Sequence, residues 1–224
     1  MSDAVQAYYD QLANDYDEDR FGGSYGQFIH RQEKRLLQNW GISSLDGTVL
    51  SLGCGTGRLM EYATHGIDIS PQMLAVAQQK FPQKDFVEGD AMKCPFPDQS
   101  FNGIFSLHVM MHLDPQKVGA IVREAHRLLE PGGIFVFDVP SAPRRRITGH
   151  QQKDWHGNNA FTQAMVKELL AKDWELEQIQ GILFLPLHRI PRALRKSCFF
   201  IDRLLCQSPC WPYASYWMIK ARKR

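Results

Sequence analysis

The sequence predicts an α/β protein, a doubly wound sheet with helices on both faces, and three observations carry that prediction. Beyond Gly47, short apolar runs bounded by turn residues alternate with amphipathic stretches, the pattern of parallel strands joined by crossover helices. One of these runs, Val49-Leu50-Ser51-Leu52, passes directly into Gly53-Cys54-Gly55-Thr56-Gly57. The length of 224 residues, 44% of them hydrophobic, suits one domain with a single large core.

Taken in order, the elements have these grounds. Val5, Tyr8, Tyr9, Leu12, Ala13 and Tyr16 share one face at helical spacing. After Gly22-Gly23, Tyr25, Phe28, Ile29, Leu36, Leu37 and Trp40 do the same, so two helices come first. Strands are expected near 48–52, 65–69, 85–88, 103–109 and 134–139. Ser70 before Pro71 is an N-cap with proline at the first helical position, opening a helix that stops before Pro82. Asp114 before Pro115 opens another, in which Val118, Ile121, Val122, Ala125, Leu128 and Leu129 face inward until Pro131-Gly132-Gly133 breaks it. In the last third, 162–171 reads as a helix, 174–181 as a strand, 188–206 as helical among basic residues, and 213–220 as the final strand.

Composition excludes several classes. A charged fraction of 22% and a net charge of +2 exclude a disordered chain. No apolar run approaches the ~20 residues that cross a bilayer, and residues 1–16 are acidic and polar, unlike an export signal. Five cysteines without short paired spacing argue against a disulfide framework or a structural metal, and read as free thiols in a reducing cytoplasm. From Arg189 to the last residue the only acid is Asp202, which makes the C-terminal end a basic zone.

The chemistry-bearing residues sit at the ends of the expected strands. Gly53, Gly55 and Gly57 let backbone pass close to a ligand and aim free N–H groups of the next helix at an anionic group. An ordinary glycine-rich turn has the same signature by itself. Asp68 ends the next strand and adds a carboxylate able to accept both hydroxyls of a ribose. Glu88-Gly89-Asp90-Ala91-Met92 closes the third strand, and Ser106-Leu107-His108 follows the fourth. In a parallel sheet these four ends meet at one edge, which implies a single nucleoside pocket. The spacing G-x-G-x-G departs from the dinucleotide fingerprint G-x-G-x-x-G, and this argues against a nicotinamide-dependent enzyme.

The stretches VLSLGCGTG, GIDISPQMLAVA, FVEGDAMKCPFPDQSFNGIFS and RLLEPGGIFVFDV, in that order over residues 49–139, resemble the class I S-adenosylmethionine-dependent methyltransferases. Within them the resemblance is to the branch that includes the ubiquinone and menaquinone biosynthesis enzymes and many small-molecule methyltransferases. It implies a Rossmann-like seven-stranded, mostly parallel sheet with a reversed last strand. It also implies S-adenosyl-L-methionine as cofactor and S-adenosyl-L-homocysteine as product. The chain then divides into N-terminal helices forming part of a lid (1–46), a cofactor-binding half (47–140) and a substrate-side half (141–224) containing the basic helical insertion at about 188–206. Residue by residue, the resemblance puts Gly53, Cys54, Gly55 and Gly57 at the methionine end and Asp68 on the ribose. Ile69 and Met73 pack on the adenine, and Asp90 accepts from its amino group beside the backbone of Ala91 and Met92. Ser106 and Leu107 contact the cofactor from the fourth strand's end. In the lid, Tyr16 turns its hydroxyl to the cofactor and Arg31 pairs with the methionine carboxylate, with plain packing as the competing reading for Tyr8, Tyr9 and Tyr16.

Two departures from the family pattern stand out. Ser51 occupies a position where members commonly carry an acid that braces the cofactor's amine. Only the fourteen residues 53–66 separate Leu52 from Ile67, close to the minimum of ~10 to 12 for a crossover. The helix after the glycine loop is therefore expected to have two turns at most and to end near Ala63.

The expected activity is methyl transfer to a small-molecule acceptor such as a quinone, a lipid precursor or another metabolite. A hydroxyl or acidic C–H acceptor needs a base, and among His108 and His112 the candidate is His112, against the alternative of a packed core histidine. The two are four apart, yet the Glu of H-E-x-x-H and a third ligand are missing, so no metal is expected. Arg144, Arg145, Arg146, Trp155 and His156 lie where an acceptor pocket opens and suit an anionic acceptor, unless they form a solvated loop. Residues 188–206 suit an anionic lipid surface, against a helix packed on the sheet with its charges in water. The alternatives are a nucleic-acid methyltransferase, permitted by the basic tail but lacking an Asn/Asp-Pro-Pro-Tyr motif, and a non-catalytic nucleoside-binding protein. No motif bears on oligomeric state.

Overall fold

Two helices come first, α1 (Asp3–Leu12) and α2 (Ser24–Asn39), with a π-type turn at Glu18–Gly22 between them. The strands are β1 (Val49–Leu52), β2 (His65–Asp68), β3 (Asp85–Glu88), β4 (Phe101–Ser106), β5 (Leu129–Pro140), β6 (Trp174–Ile182) and β7 (Tyr216–Lys223). Between them lie α3 (Pro71–Lys80), α4 (Pro115–Leu128), α5 (Ala142–Thr148), α6 (Gln163–Leu170) and α7 (Arg195–Gln207). The computed structural model describes residues 3–149 and 159–224, so Trp155 and His156 lie outside the described residues.

All seven strands form one sheet in the order β3-β2-β1-β4-β5-β7-β6. Pairings from β3 through β5 are parallel, and β7 runs antiparallel to both β5 and β6. Helices cover both faces because the strands are apolar on both. On β5, Phe135 and Phe137 pack with Val118, Ile121 and Val122 of α4, while Ile134 and Val136 pack with Leu36 and Leu37 of α2. The chain order reverses direction across the sheet at β1 and β4, and such a switch opens a crevice at the carboxyl ends of the strands. No helix among the described residues is long and apolar enough to cross a membrane.

Local chemistry explains the helix starts. Ser70 Oγ accepts the Met73 N–H at 3.1 Å, Asp114 Oδ1 accepts that of Lys117 at 2.9 Å, and Thr162 Oγ1 accepts that of Met165 at 3.2 Å. Ser141 caps α5 in the same way at Arg144, with Pro143 in the first turn. The three arginines of the expected loop are therefore helical, and Ser141-Ala142-Pro143 was the signal for it.

Several boundaries differ from the expected ones, among them the last strand, expected over 213–220 and found at Tyr216–Lys223, whereas the short crossover is as expected. The strand expected over 103–109 ends at Ser106, because His108 takes a left-handed backbone (φ 62°) whose N–H bonds Asp138 Oδ1 at 2.7 Å. Pro131-Gly132-Gly133 lies within β5 as an irregularity between the Phe101–Leu129 and Gly103–Ile134 pairings, with Pro131 and Gly132 exposed. The basic segment is not one helix from 188. Two 3-10 turns, Leu187–Arg189 and Arg192–Leu194, flank Pro191, and α7 begins only after them. Across the short crossover the chain forms a single 3-10 turn at Met60–Tyr62, inside the two-turn limit and ending just before Ala63.

Candidate active site

The glycine loop follows β1 directly, and its N–H groups are turned to the protein. Those of Gly53 and Cys54 bond the Ile67 carbonyl at 2.8 and 3.0 Å, that of Gly57 bonds the Cys54 carbonyl at 3.0 Å, and that of Gly55 bonds Asp68 Oδ2 at 2.8 Å. The expectation that they point at an anion is corrected, since no α-helix follows the loop to supply free N–H groups. Such a loop is no phosphate cradle. Its backbone is nevertheless open to a ligand at Gly55 (φ 53°), where an added Cβ would meet nothing within 4 Å.

Asp68 is half-buried at the end of β2, and desolvation raises its carboxyl above the usual range while N–H bonds from Ser70 and Gly55 oppose the shift. A carboxylate has about four lone-pair sites, so acceptor capacity remains beside these N–H groups for a hydroxyl donor. Gly53, Gly55, Asp68, Ile69, Met73 and Ala91 line one cleft of about 620 Å³. Tyr16, Leu107 and His112 complete its far side, with Val5 and Tyr9 contributed by α1.

The remaining expected residues fall elsewhere. Cys54 lines a second, adjoining cavity with Ser51, Thr56 and Arg58. Gly57 lines neither cavity, because it faces α3, where a Cβ would stand 3.2 Å from that of Ala77. Gly89 and Ala91 face the cleft, whereas Asp90 Oδ1 accepts the Met92 N–H at 2.9 Å and Met92 packs on the core. Ser106 is fully buried beneath Leu107 and lines neither space. Arg31 is exposed on the outer face of α2 and lines neither.

The cation beside the glycine loop is Arg58. Its guanidinium lies 2.7 Å from Glu33 Oε2, 2.8 Å from His30 Nδ1 and 3.9 Å above the Phe21 ring. Glu33 is buried and also pairs with His108 Nε2. Burial works against its charge, but Arg58 and His108 together hold its pKa at about 2. Burial likewise opposes a charge on His108, and Glu33 outweighs it, so the imidazole is held above its ordinary value. Sequence reasoning missed this trio. Its signal was an acid at position 33, on the face of α2 that carries Ile29, Leu36 and Leu37.

On the far side of His108 and His112 lies a wider cleft of about 1030 Å³, lined also by Tyr25, Met111, Arg145 and Tyr216. Tyr9, Tyr16, His108 and His112 border both this space and the cleft at Asp68. Tyr9 Oη and His112 Nε2 share a hydrogen bond of 2.9 Å. Burial, first of all, drives the Tyr9 hydroxyl far above its usual pKa. Two acids fasten the N-terminal segment. Ser70 Oγ donates to Asp10 Oδ1 and Thr56 Oγ1 to Asp17 Oδ1, both at 2.5 Å, and Lys80 pairs with Asp17.

The residues present fit an adenosyl group: an apolar slot, a half-buried carboxylate with room for a further donor, an open glycine and no phosphate cradle. Comparison with known proteins agrees. A methyltransferase domain model matches residues 50–137. The demethylmenaquinone methyltransferase of Chlorobaculum tepidum is 34% identical over 106 residues, covering 44% of this chain and 43% of that enzyme, so the match spans less than half of the relative. The 2-phytyl-1,4-naphtoquinone methyltransferase of Synechococcus elongatus is 30% identical over 162 residues, 64% of this chain and 68% of that one. A crystal structure of a SAM-dependent methyltransferase from Thermotoga maritima shares the fold over 98% of this chain and 100% of its own, with a TM-score of 0.71 at 17% identity. On its strand order, its glycine loop with Asp68 and these matches, the chain belongs to the class I S-adenosylmethionine-dependent methyltransferase family.

Proposed function

We propose that this chain transfers a methyl group from S-adenosylmethionine to a small-molecule acceptor seated against His112. The observation that carries the reading is the shared wall of Tyr9, Tyr16, His108 and His112 between the cleft at Asp68 and the cleft at Arg145. Asp68 would hold the ribose; Ile69, Met73 and Ala91 would hold the adenine; Arg58 would pair with the carboxylate of the methionine part. When bound, S-adenosylmethionine supplies a methyl already activated on a positively charged sulfur. The chain's own task is then to orient the acceptor, exclude water and receive a proton.

The lid helix α1 excludes water by lying across the cleft through Val5 and Tyr9. His108 has its Nε2 engaged by Glu33 and is set aside as the base. His112 is the base in this reading, and Tyr9, whose phenol stays protonated, orients its ring. The aromatic lining of the acceptor-side cleft, with Phe21, Tyr25 and Tyr216, supports a planar acceptor. The names of the two relatives support one of quinone type.

The test uses S-adenosylmethionine labelled in its methyl group, with reduced demethylmenaquinone as the probe acceptor. The expected outcome is label in the quinone fraction, insensitive to nuclease. His112→Asn is expected to lower kcat by roughly 10² to 10⁴ while adenosylhomocysteine still binds. Label only in nuclease-sensitive material would transfer the reading to nucleic acid, and full activity of the His112 variant would remove the base.

A further inference from the structure

Of the seven large apolar side chains that stand exposed among the described residues, six gather on neighbouring elements. Phe200, Ile201 and Leu204 lie on α7, and Leu194 on the turn leading into it. Ile147 lies on α5, and Tyr213 on the 3-10 turn Trp211–Tyr213, which packs against both helices. Helix α7 carries apolar side chains on both sides, with Phe199 packed on Phe28 inside and Phe200, Ile201 and Leu204 outside. Its inward side buries Asp202, which accepts from Gln32 Nε2 at 2.5 Å and from the Leu185 N–H at 2.7 Å, while its outward side presents Phe200 at 64% exposure. Side chains so placed gain nothing from water and mark a surface that something else covers.

Charge identifies the cover. Across α5 and residues 183–215 the sole carboxylate is the buried Asp202, against three arginines in α5 and five arginines and lysines between 189 and 203. A second copy would set this positive surface against itself, and like charges disfavour such a self-complementary contact. An anionic lipid surface satisfies both features at once: apolar side chains enter the boundary between headgroups and acyl chains, and guanidinium groups meet phosphates.

We propose that α7 and its flanking turns rest on an anionic lipid surface. Beside this surface a groove opens between α5, through Arg144 and Ile147, and the segment that carries Leu185 and Arg189, and it shares Tyr25, Arg145 and Tyr216 with the cleft at His112. A lipophilic acceptor then reaches His112 from the bilayer without crossing water. That consequence rests on the methyltransferase reading; the lipid contact itself does not.

The experiment is co-sedimentation of the full chain with phosphatidylcholine vesicles, with and without phosphatidylglycerol, at low and high salt. Binding to the phosphatidylglycerol vesicles is expected, weakened by salt, and at least about tenfold weaker in Phe200→Ser/Leu204→Ser. Both side chains are exposed, and unchanged adenosylhomocysteine binding by the double variant certifies its fold. Arg192→Gln/Arg203→Gln is expected to remove most of the salt dependence. No binding to phosphatidylglycerol vesicles at low salt overturns the proposal. So does equal binding by the Ser variant, or a concentration-dependent dimer that this variant abolishes without any lipid binding. Loss of adenosylhomocysteine binding in the unaltered chain would speak only against the methyltransferase reading.

Discussion

Burying Glu33 in the apolar face of α2 costs a desolvation that its two cationic neighbours, Arg58 and His108, must offset. Removing the charge alone by Glu33→Gln leaves the Arg58 guanidinium without its carboxylate, and a loss of about 3 kcal/mol of stability is expected in denaturant titration. The pH dependence has a definite sign. Glu33, depressed to about 2, contributes stability above its unfolded value of ~4.3 and loses it as pH falls toward 2. His108, raised, contributes fully below its unfolded value of ~6.5 and loses it as pH climbs through its higher folded value. The trio is therefore most stabilising between ~4.3 and ~6.5, and the Gln variant should flatten both limbs; unchanged limbs would contradict the pairing. At Gly55 the left-handed φ and the open space in front of it make Gly55→Val a steric test. Backbone strain of ~1 to 2 kcal/mol and at least tenfold weaker adenosylhomocysteine binding are expected, and unaltered affinity would mean that nothing passes close to this residue. Gly55 and Asp68 were readable because glycine spacing and a strand-end acid are local patterns. Arg58 and Glu33 were not, because their pairing joins residues 25 apart in sequence through tertiary packing.

At the scale of elements, the N-terminal segment is the part that local patterns describe least. The apolar stripe from Val5 to Tyr16 promised one helix, but α1 stops at Leu12, and the chain turns so that Asp17 can reach Thr56 and Lys80. Hydropathy periodicity carries no information about such polar fastenings. Asp10→Asn/Asp17→Asn weakens both, and adenosylhomocysteine is expected to leave roughly tenfold faster in stopped-flow displacement, with little change in thermal stability. An unchanged dissociation rate would show that α1 does not gate the cleft. Elements with strong caps were legible to within a residue, as at Ser70-Pro71 and Asp114-Pro115. Boundaries set by backbone geometry, such as the end of β4 before the left-handed His108, were not.

For the molecule as a whole, the sheet order follows from the alternation of apolar runs and amphipathic stretches, since right-handed crossovers on both faces leave few arrangements. The reversed β7 was implied by family resemblance rather than by any pattern of its own. The site is a property of this whole sheet, because four strand ends and the N-terminal segment meet around Asp68. Its raised carboxyl gives the site a pH signature: adenosylhomocysteine affinity should fall on acidification at a pH above the ordinary carboxylate value of ~3.9, as the protonated form loses an acceptor for ribose hydroxyls. The most direct measurement is calorimetric titration of adenosylhomocysteine into the unaltered chain and into Asp68→Ala. Saturable one-site binding, weakened about 10- to 100-fold by the substitution, is the predicted result. Absence of heat with the unaltered chain, or equal affinity in the alanine variant, would contradict the adenosyl site.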